Sequence, residues 1–408
     1  MTGAAAEAIA RAHRSEWARL VAGLARRFGD LDVAEDAAAE AFAVAVERWP
    51  RDGVPPNPGG WLTTTATRRA IDRLRRESQR DDRHRAARRI VDDSAPEPTG
   101  AVDDDRLRLL FICCHPVLGM EARIALTLRL IAGLTVAEIA AAFLVPETTI
   151  AQRITRAKAR VRAAGLAYRA PTDADVAQRL DGVLTVVFLV GNEGYLAGGG
   201  ALPLRTDLTD EAIRLARLLR ALRPHDGEVA GLLALLLLLD ARRAARLSPS
   251  GELVTLGAQD RGAWDAALIR EGHDLVRERI ASGERPGRFQ LLAAINAVHT
   301  AAPSAAGTDW SQIVRLYDQL SALDPSPIVR LNRAIALAEV EGADAALAEI
   351  DLLTTLDGYH ALHAARAALL HREGRIAGAR DAYDRALALA ANPAERAHLE
   401  RRRAELDG

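Results

Sequence analysis

The sequence predicts an all-α protein built from two small helical domains followed by a larger one. Apolar side chains recur along the 408 residues at spacings of three and four, whereas the alternating pattern of β-strands is scarce. A polar stretch, Glu77–Asp105, separates the first helical block from the second. We therefore expect domains at 1–80, 106–168 and 172–408, with a flexible linker at 81–105.

Composition is that of a soluble globular protein, with 49% hydrophobic residues, 27% charged residues and a net charge of -1. The longest apolar run, Val229–Leu239, is shorter than the roughly 20 residues that span a membrane. Residues Met1–Ala10 do not resemble a signal peptide. We expect a cytoplasmic protein with no membrane partner. The two cysteines, Cys113 and Cys114, are adjacent, so no disulfide framework is expected and both thiols are predicted to be buried.

The segment Thr135–Arg162 predicts a helix-turn-helix. Thr135 and Glu138 have the spacing of a capping box, and Pro146 suits the start of a second helix. That helix fits a major groove, because its first turns carry short polar side chains for base edges and its later arginines can meet phosphates. An ordinary helical hairpin with a solvated basic face is the alternative. The predicted inner face of the second helix holds Ile150, Ile154, Ala157 and Val161, and the opposite face holds Thr148, Thr149, Gln152, Thr155, Arg156 and Arg160.

The N-terminal block pairs an acidic helix with a basic one. Asp32 and Glu35 predict a helix start, and the helix is expected to end near Pro50. The segment from Arg68 to Arg89, which follows a loop rich in proline and glycine, contains ten arginines and only four acidic residues. A basic helix of this kind suits single-stranded DNA, with Trp61 supporting unstacked bases. A tryptophan in the protein core is the alternative for that residue.

The C-terminal block carries a weak repeat. Ala379, Tyr383 and Ala386 follow Ala346, Ile350 and Leu353 by 33 residues, near the period of tetratricopeptide (TPR) repeats. An irregular helical domain is the alternative. His360 and His363 lie three apart on a predicted helix, but no further ligand completes a metal site. We therefore expect no metal, no cofactor and no enzyme activity.

The order of these parts resembles that of the extracytoplasmic-function sigma factors of bacterial RNA polymerase, which keep only sigma regions 2 and 4. AEDAAAEAFAVAVERW resembles the region 2 helix that docks on core polymerase, GGWLTTTATRRAIDRLRR the segment that melts and reads the −10 element, and the helix-turn-helix the region 4 reader of the −35 element. LRLLFICCHPVL, NEGY and SPIVRLNRAIALAEVEG are similar to a subgroup with a long TPR-like extension.

The resemblance implies a set of partners and site residues. The partners are the β′ clamp helices and the β flap of core RNA polymerase, promoter DNA, and a protein or peptide for the extension, which is expected to regulate activity. In the free protein the two sigma domains can pack together and hide both DNA faces. A helix-turn-helix regulator with a C-terminal sensing domain is the alternative function. The implied core-docking residues are Asp36, Glu40 and Phe42; the −10 residues are Trp61, Thr65, Arg68, Arg69, Asp72, Arg75 and Arg76; the −35 residues are Thr148, Thr149, Gln152, Thr155 and Arg156.

Overall fold

The computed structural model describes residues 3–81, 104–143, 145–166, 171–195, 204–249, 251–390 and 392–406. The regular structure of these residues is helical, apart from one isolated β-bridge, and this confirms the predicted all-α fold. Most of the predicted linker lies outside the described residues. The chain forms two compact units, Met1–Val190 and Gly191–Gly408.

The first unit contains seven complete helices and most of an eighth. Its boundary at Val190 falls later in the chain than the domain limit we expected near residue 170, because α8 begins in this unit. The helices are α1 (Gly3–Phe28), α2 (Leu31–Asp52), α3 (Pro58–Asp81), α4 (Asp105–Cys113), α5 (Met120–Leu130), α6 (Val136–Phe143), α7 (Glu147–Ala163) and α8 (Asp173–Tyr195).

Helix α2 begins at Leu31, and its N-cap lies two residues before the predicted signature. Asp30 is the N-cap, and its side chain accepts hydrogen bonds from the backbone N–H groups of Asp32 and Val33. The prediction that Asp32 and Glu35 start the helix is therefore wrong, and both carboxylates lie inside it. The helix also runs past Pro50 to Asp52.

A cluster of six charged side chains joins α2 to α5 and α7. Glu35 is buried at 6% exposure, and its two carboxylate oxygens accept hydrogen bonds from Arg129, at 2.5 Å, and from Lys158. Lys158, the only lysine in the chain, also donates to Asp32 at 2.9 Å. Arg162 binds Asp32 and the capping Asp30. Three carboxylates thus face three cations, so the cluster, which we call the α2–α7 ion cluster, is electrically neutral.

The pKa values of this cluster move in the directions that strong pairing requires. Burial alone would raise the pKa of Asp32, but the hydrogen bonds and charges of Lys158 and Arg162 outweigh it and hold the pKa below its ordinary value. Burial would likewise lower the pKa of Lys158, but Glu35 and Asp32 raise it above its ordinary value. The stabilisation from Asp32 is therefore lost as the pH falls through its folded-state pKa, and that from Lys158 as the pH rises through its own.

The turn after α5 and the rings of α1 form further contacts near this cluster. The turn after α5 places Gly133, at a φ of +73°, against His13 and Trp17 of α1, where an added Cβ would lie 2.7 Å from one ring and 2.9 Å from the other. The indole N–H of Trp17 donates to the carbonyl of Arg129 at 3.3 Å. Only glycine fits this turn, because the backbone conformation and the aromatic neighbours both exclude a side chain.

The second unit is a series of packed helices. The most apolar of them, α10, is buried from Val229 to Leu238 and packs against α9, α11 and α12. The helices are α9 (Thr206–Leu222), α10 (Gly227–Asp240), α11 (Ala266–Ala281), α12 (Arg288–Ala301), α13 (Trp310–Leu323), α14 (Pro327–Leu337), α15 (Ala343–Asp351), α16 (His360–Arg372), α17 (Ile376–Leu389) and α18 (Pro393–Ala404).

Two helical hairpins repeat at the spacing found in the sequence. Helices α14 and α16 begin 33 residues apart, at Pro327 and His360, and α15 and α17 also begin 33 residues apart, at Ala343 and Ile376. Each hairpin turns at a glycine with positive φ, Gly342 or Gly374. The small and large residues of the repeat lie in one core, formed by Ala346, Ile350, Leu353, Ala379, Tyr383 and Ala386, all 3% exposed or less.

We expect replacement of Lys158 by methionine to lower the free energy of unfolding by about 3 kcal/mol, because it leaves the buried Glu35 with one cation instead of two. Arg162→Ala is the matched control, since it removes a largely exposed cation of the same cluster, which shares Asp32 with Lys158 but does not contact Glu35, and it should cost at most about 1 kcal/mol. Thermal and urea unfolding measure both. Equal losses for the two variants would contradict a buried, strongly coupled cluster.

We expect Gly231→Ala to destabilise the second unit by about 1–3 kcal/mol. A Cβ at this position of α10 would lie 2.5 Å from the backbone nitrogen of Gln290 and 2.8 Å from its Cα, so α12 must move. Gly378→Ala in α17 is the control, because its Cβ would meet only Leu370, at 3.4 Å, and it should stabilise slightly through helix propensity. Melting temperatures that rise in both variants would contradict the close packing of α10 and α12.

Candidate nucleic-acid interface

Helices α6 and α7 form the predicted helix-turn-helix, and local interactions fix its start. The backbone N–H and the hydroxyl of Thr135 both donate to the Glu138 carboxylate at 2.8 Å, and the N–H of Glu138 donates back to the Thr135 hydroxyl. This reciprocal pair confirms the capping box. The predicted inner stripe of α7 is buried, since Ile150, Ile154, Ala157 and Val161 are all 6% exposed or less.

The opposite face of α7 is open to solvent. Arg156 and Arg160 are exposed, and neither forms an ion pair with any residue that the structure describes. The hydroxyl of Thr155 donates a hydrogen bond to the carbonyl of Ala151 at 2.9 Å, which keeps the side chain close to the helix. The predicted −35 residues Thr148, Thr149, Gln152, Thr155 and Arg156 are all exposed on this face.

The other three basic residues of α7 are used by the protein itself. Arg153 binds Glu121 at 2.7 Å and lies 5.4 Å from the ring centroid of Phe143. Lys158 and Arg162 belong to the α2–α7 ion cluster. The sequence placed Arg156 and Arg160 on the outward face of α7, and among the described residues these two keep guanidinium groups without an ion pair at the surface.

Helix α3 forms a second basic surface. Its inner stripe, Leu62, Ala66 and Ala70, is completely buried, and this orients the remaining positions outward. Trp61 is half-buried and meets Trp49 edge-on, with ring centroids 5.7 Å apart, so it combines a core contact with an accessible edge. Of the other predicted −10 residues, Thr65 is half-buried, and Arg68, Arg69, Asp72, Arg75 and Arg76 are exposed.

The acidic residues of α2 lie beside this basic surface. Asp36 forms an ion pair with Arg73, and Glu40 lies 3.7 Å from Arg69, while both carboxylates keep nearly half of their side-chain surface exposed. Phe42 was expected on the same docking surface, but it is only 7% exposed and packs on the rings of His13 and Trp17. Phe42 belongs to the core because α1 covers that side of α2.

The two helical modules of the first unit pack together, but the packing does not bury the residues predicted to contact DNA. The α2–α7 ion cluster uses the flank of α7 that carries Lys158 and Arg162, whereas Gln152 and Arg156 point elsewhere and stay exposed. The exposed arginines of α3 also remain open. This arrangement therefore differs from a packed form in which both predicted DNA faces are hidden.

Other candidate sites from the sequence have structural explanations. Cys113 and Cys114 are free and completely buried, as predicted, and burial raises the pKa of Cys114 to about 12, so its thiol is unreactive. His360 binds Glu395 at 3.2 Å, and His363 binds the carbonyl of Asp357 at 2.9 Å. Within the described ranges no group of three potential ligands could hold a metal ion. No described helix is both long and apolar enough to cross a membrane.

Sequence reasoning missed the structural role of Glu35 and Lys158. One signal was available: Lys158 lies four residues after Ile154 and three before Val161, and Glu35 lies four residues after Leu31 and three before Ala38, so each borders apolar positions of its helix. It also missed a group of arginines in the second unit, Arg242, Arg246 and Arg261, of which the first two follow directly on the long apolar run of α10.

Three family matches cover much of the chain. Residues 14–80 match Sigma-70 region 2, residues 108–161 match Sigma-70, region 4, and residues 179–280 match a family of unknown function, DUF6596. The chain is also 44% identical over 383 residues to an uncharacterized protein of Rhizobium meliloti (strain 1021), covering 92% of this chain and 90% of that protein. No solved structure matches the chain significantly. The chain therefore belongs to one family with the Rhizobium protein, and it contains Sigma-70 region 2 and region 4 domains followed by a larger helical part.

Proposed function

We propose that the protein is a sigma factor of the extracytoplasmic-function group, which binds core RNA polymerase, recognises the −10 and −35 promoter elements and promotes DNA opening. The observation that carries the proposal is the open face of α7. Three of the five basic residues of α7 bind carboxylates of the protein. Arg156 and Arg160 form no ion pair with a described residue, and they are exposed together with Thr148, Thr149 and Gln152.

The exposed face of α7 suits duplex DNA. A helix that presents Gln152 and threonine hydroxyls in its first turns can place them at base edges in a major groove, since glutamine pairs well with adenine there. Arg156, one turn farther on, then reaches the phosphate backbone. We assign −35 recognition to this face, with Thr148, Thr149, Gln152 and Thr155 nearest the bases.

The exposed face of α3 suits opened DNA. Arg68, Arg75 and Arg76 can follow a single-stranded backbone, and the accessible edge of Trp61 can support an unstacked base. Binding the opened strand better than the duplex raises the population of the opened state, and no covalent step is required. We assign −10 recognition to this surface, together with Thr65, Arg69 and Asp72.

Core polymerase binding fits the acidic surface of α2. Asp36 and Glu40 are the candidates, and Phe42 contributes by packing α2 against α1 rather than by direct contact. We further propose that the TPR-like second unit regulates activity. The alternative, a helix-turn-helix regulator that acts without core polymerase, explains α7 but not the acidic surface of α2. Co-purification of the full chain with core polymerase separates the two, and failure to bind would favour the alternative.

We expect Gln152→Ala and Arg156→Ala to weaken −35 recognition in different ways. Loss of Gln152 should cost about 1–3 kcal/mol on the preferred promoter and relax the preference at one base pair. Loss of Arg156 should weaken all promoters alike and reduce the slope of log affinity against log salt by about 1. Binding of the reconstituted holoenzyme to a promoter library at several salt concentrations measures both effects.

The control for these variants is Arg11→Ala, because Arg11 lies exposed on α1 in a solvated pair with Glu7. It removes the same charge and should leave promoter binding unchanged. If Arg11→Ala and Arg156→Ala reduced promoter binding equally, net charge rather than the face of α7 would account for the effect of Arg156.

We expect Arg68→Ala to weaken holoenzyme binding to single-stranded −10 DNA by about tenfold, the value of one charge-assisted hydrogen bond. Binding to duplex −35 DNA should be unchanged in this variant, and Gln152→Ala should show the reverse pattern. Fluorescence anisotropy with each DNA measures the two affinities. Loss of both affinities in either variant would contradict the division of labour between α3 and α7.

A further inference from the structure

Three arginines of the second unit lie in a shared environment without a carboxylate partner. Arg242 is 4% exposed and Arg246 is 7% exposed, whereas Arg261 is partly exposed at the edge of the group. None of the three forms an ion pair with a residue that the structure describes. Asp240 influences Arg246 at longer range, but its carboxylate binds Arg243 at 2.7 Å. Buried cations are normally paired, so this arrangement leaves an excess of positive charge.

The partners that hold these arginines are all neutral. The Arg246 guanidinium lies 3.1 Å from the ring centroid of Tyr195 and donates to the backbone carbonyl of the same residue. Arg242 donates to the Tyr195 hydroxyl and to the side-chain oxygen of Asn296, each at 3.2 Å. Arg261 donates to the carbonyls of His299, at 2.6 Å, and Ala302, at 2.9 Å. Hydrogen bonds of this kind orient the guanidinium groups but leave their charge uncompensated.

A glycine places Tyr195 under the arginines. At Gly194 an added Cβ would lie 2.6 Å from the backbone nitrogen of Thr209 and 2.8 Å from the carbonyl of Arg205, so the end of α8 approaches the start of α9 as closely as backbone allows. The N–H of Arg205 donates to the Gly194 carbonyl at 3.0 Å. This contact gives the NEGY segment a structural role that its sequence did not reveal.

Three buried donors or acceptors of the same group have no partner. They are Nε of Arg242, Nε1 of Trp264 and Nδ1 of His299, and each is unmatched within the described residues. Trp264 lies against Arg261, whose Cζ is 4.5 Å from its ring. Burial, with the charges of Arg242 and Arg261, lowers the pKa of His299 to about 4, so its imidazole is neutral and adds no charge but still offers an N–H. Each unmatched buried polar atom needs an explanation, and three of them beside unpaired arginines are consistent with a polar ligand.

We propose that Arg242, Arg261, Trp264 and His299 form a binding site for the oxyanion group, a phosphate or a carboxylate, of a small molecule. Guanidinium groups present planar donors that match the oxygens of both anions, and an indole N–H adds a neutral donor. Arg246, stacked on the ring of Tyr195, adds positive charge near the site. Arg261 is the partly exposed member of the group. The site lies outside both DNA-facing surfaces, so its occupancy can be tested without transcription.

Calorimetry and thermal-shift measurements on the full-length protein test the binding of inorganic phosphate and of citrate. Chloride at equal ionic strength is the reference. Phosphate or citrate should bind stoichiometrically and raise the melting temperature of the second unit, whereas chloride should not. Binding of phosphate alone identifies a phosphorylated ligand, binding of citrate alone a carboxylate ligand, and both outcomes support an oxyanion site. Equal stabilisation by all three salts would overturn it.

Arg242→Met separates a ligand site from a structural cluster. Without an added anion, the variant has lost one uncompensated buried charge, so its melting temperature should equal or exceed that of the unchanged protein. Its affinity for phosphate or citrate should fall at least about tenfold. A lower melting temperature with unchanged anion affinity would overturn the proposal.

Two further variants keep the test decisive if Arg242→Met does not fold. Trp264→Phe retains the ring beside Arg261 and removes only the unmatched N–H, so it should weaken anion binding while preserving the fold. Arg220→Met is the matched control, because Arg220 has its own partner in Glu278, at 2.6 Å. It should lower the melting temperature and leave anion binding intact; anion binding lost equally in both variants would contradict the site.

Discussion

A carboxylate buried within an alanine-rich helix constrains the whole first unit. Glu35 is 6% exposed, and an isolated ionised group at that depth would be strongly unfavourable. It is stabilised because α5 supplies Arg129 and α7 supplies Lys158, one cation for each carboxylate oxygen. The pairing fixes how α7 is rotated against α2, since Lys158 must face inward. The opposite face of α7 is then directed to solvent, and this is the face that carries Gln152 and Arg156.

The distribution of carboxylates explains which arginines are available for nucleic acid. Arg153 and Arg162 resemble Arg156 in the sequence, but Glu121 binds the first and the ion cluster the second. Arg156 has no carboxylate within reach, so its guanidinium can bind a phosphate without first breaking an ion pair. A basic residue near a protein carboxylate contributes to the fold, and one without such a partner is free to contribute to binding.

The same principle gives the second unit a different character. Its arginines at 242, 246 and 261 are unpaired like Arg156, but two of them are buried, so water cannot screen their charge. Exposed unpaired arginines suit a polyanion such as DNA. Buried guanidinium donors that neutral acceptors hold in place, beside an indole N–H, suit one compact anion. The two proposals therefore assign promoter recognition and the binding of a small anion to separate residues in separate units.

Local sequence determined the helices, the capping box of Thr135 and Glu138, the buried stripe of α7 and the 33-residue repeat, because these depend on side chains within a turn or two of each other or on a fixed period. The order of the acidic helix, the basic helix and the helix-turn-helix was enough to predict the Sigma-70 region 2 and region 4 domains. Tertiary structure alone decided that Phe42 is buried, that Lys158 binds Glu35 and that Arg242 lacks a carboxylate. These outcomes depend on residues distant in the chain, and helical periodicity describes which side of a helix is apolar but not which charge lies opposite it.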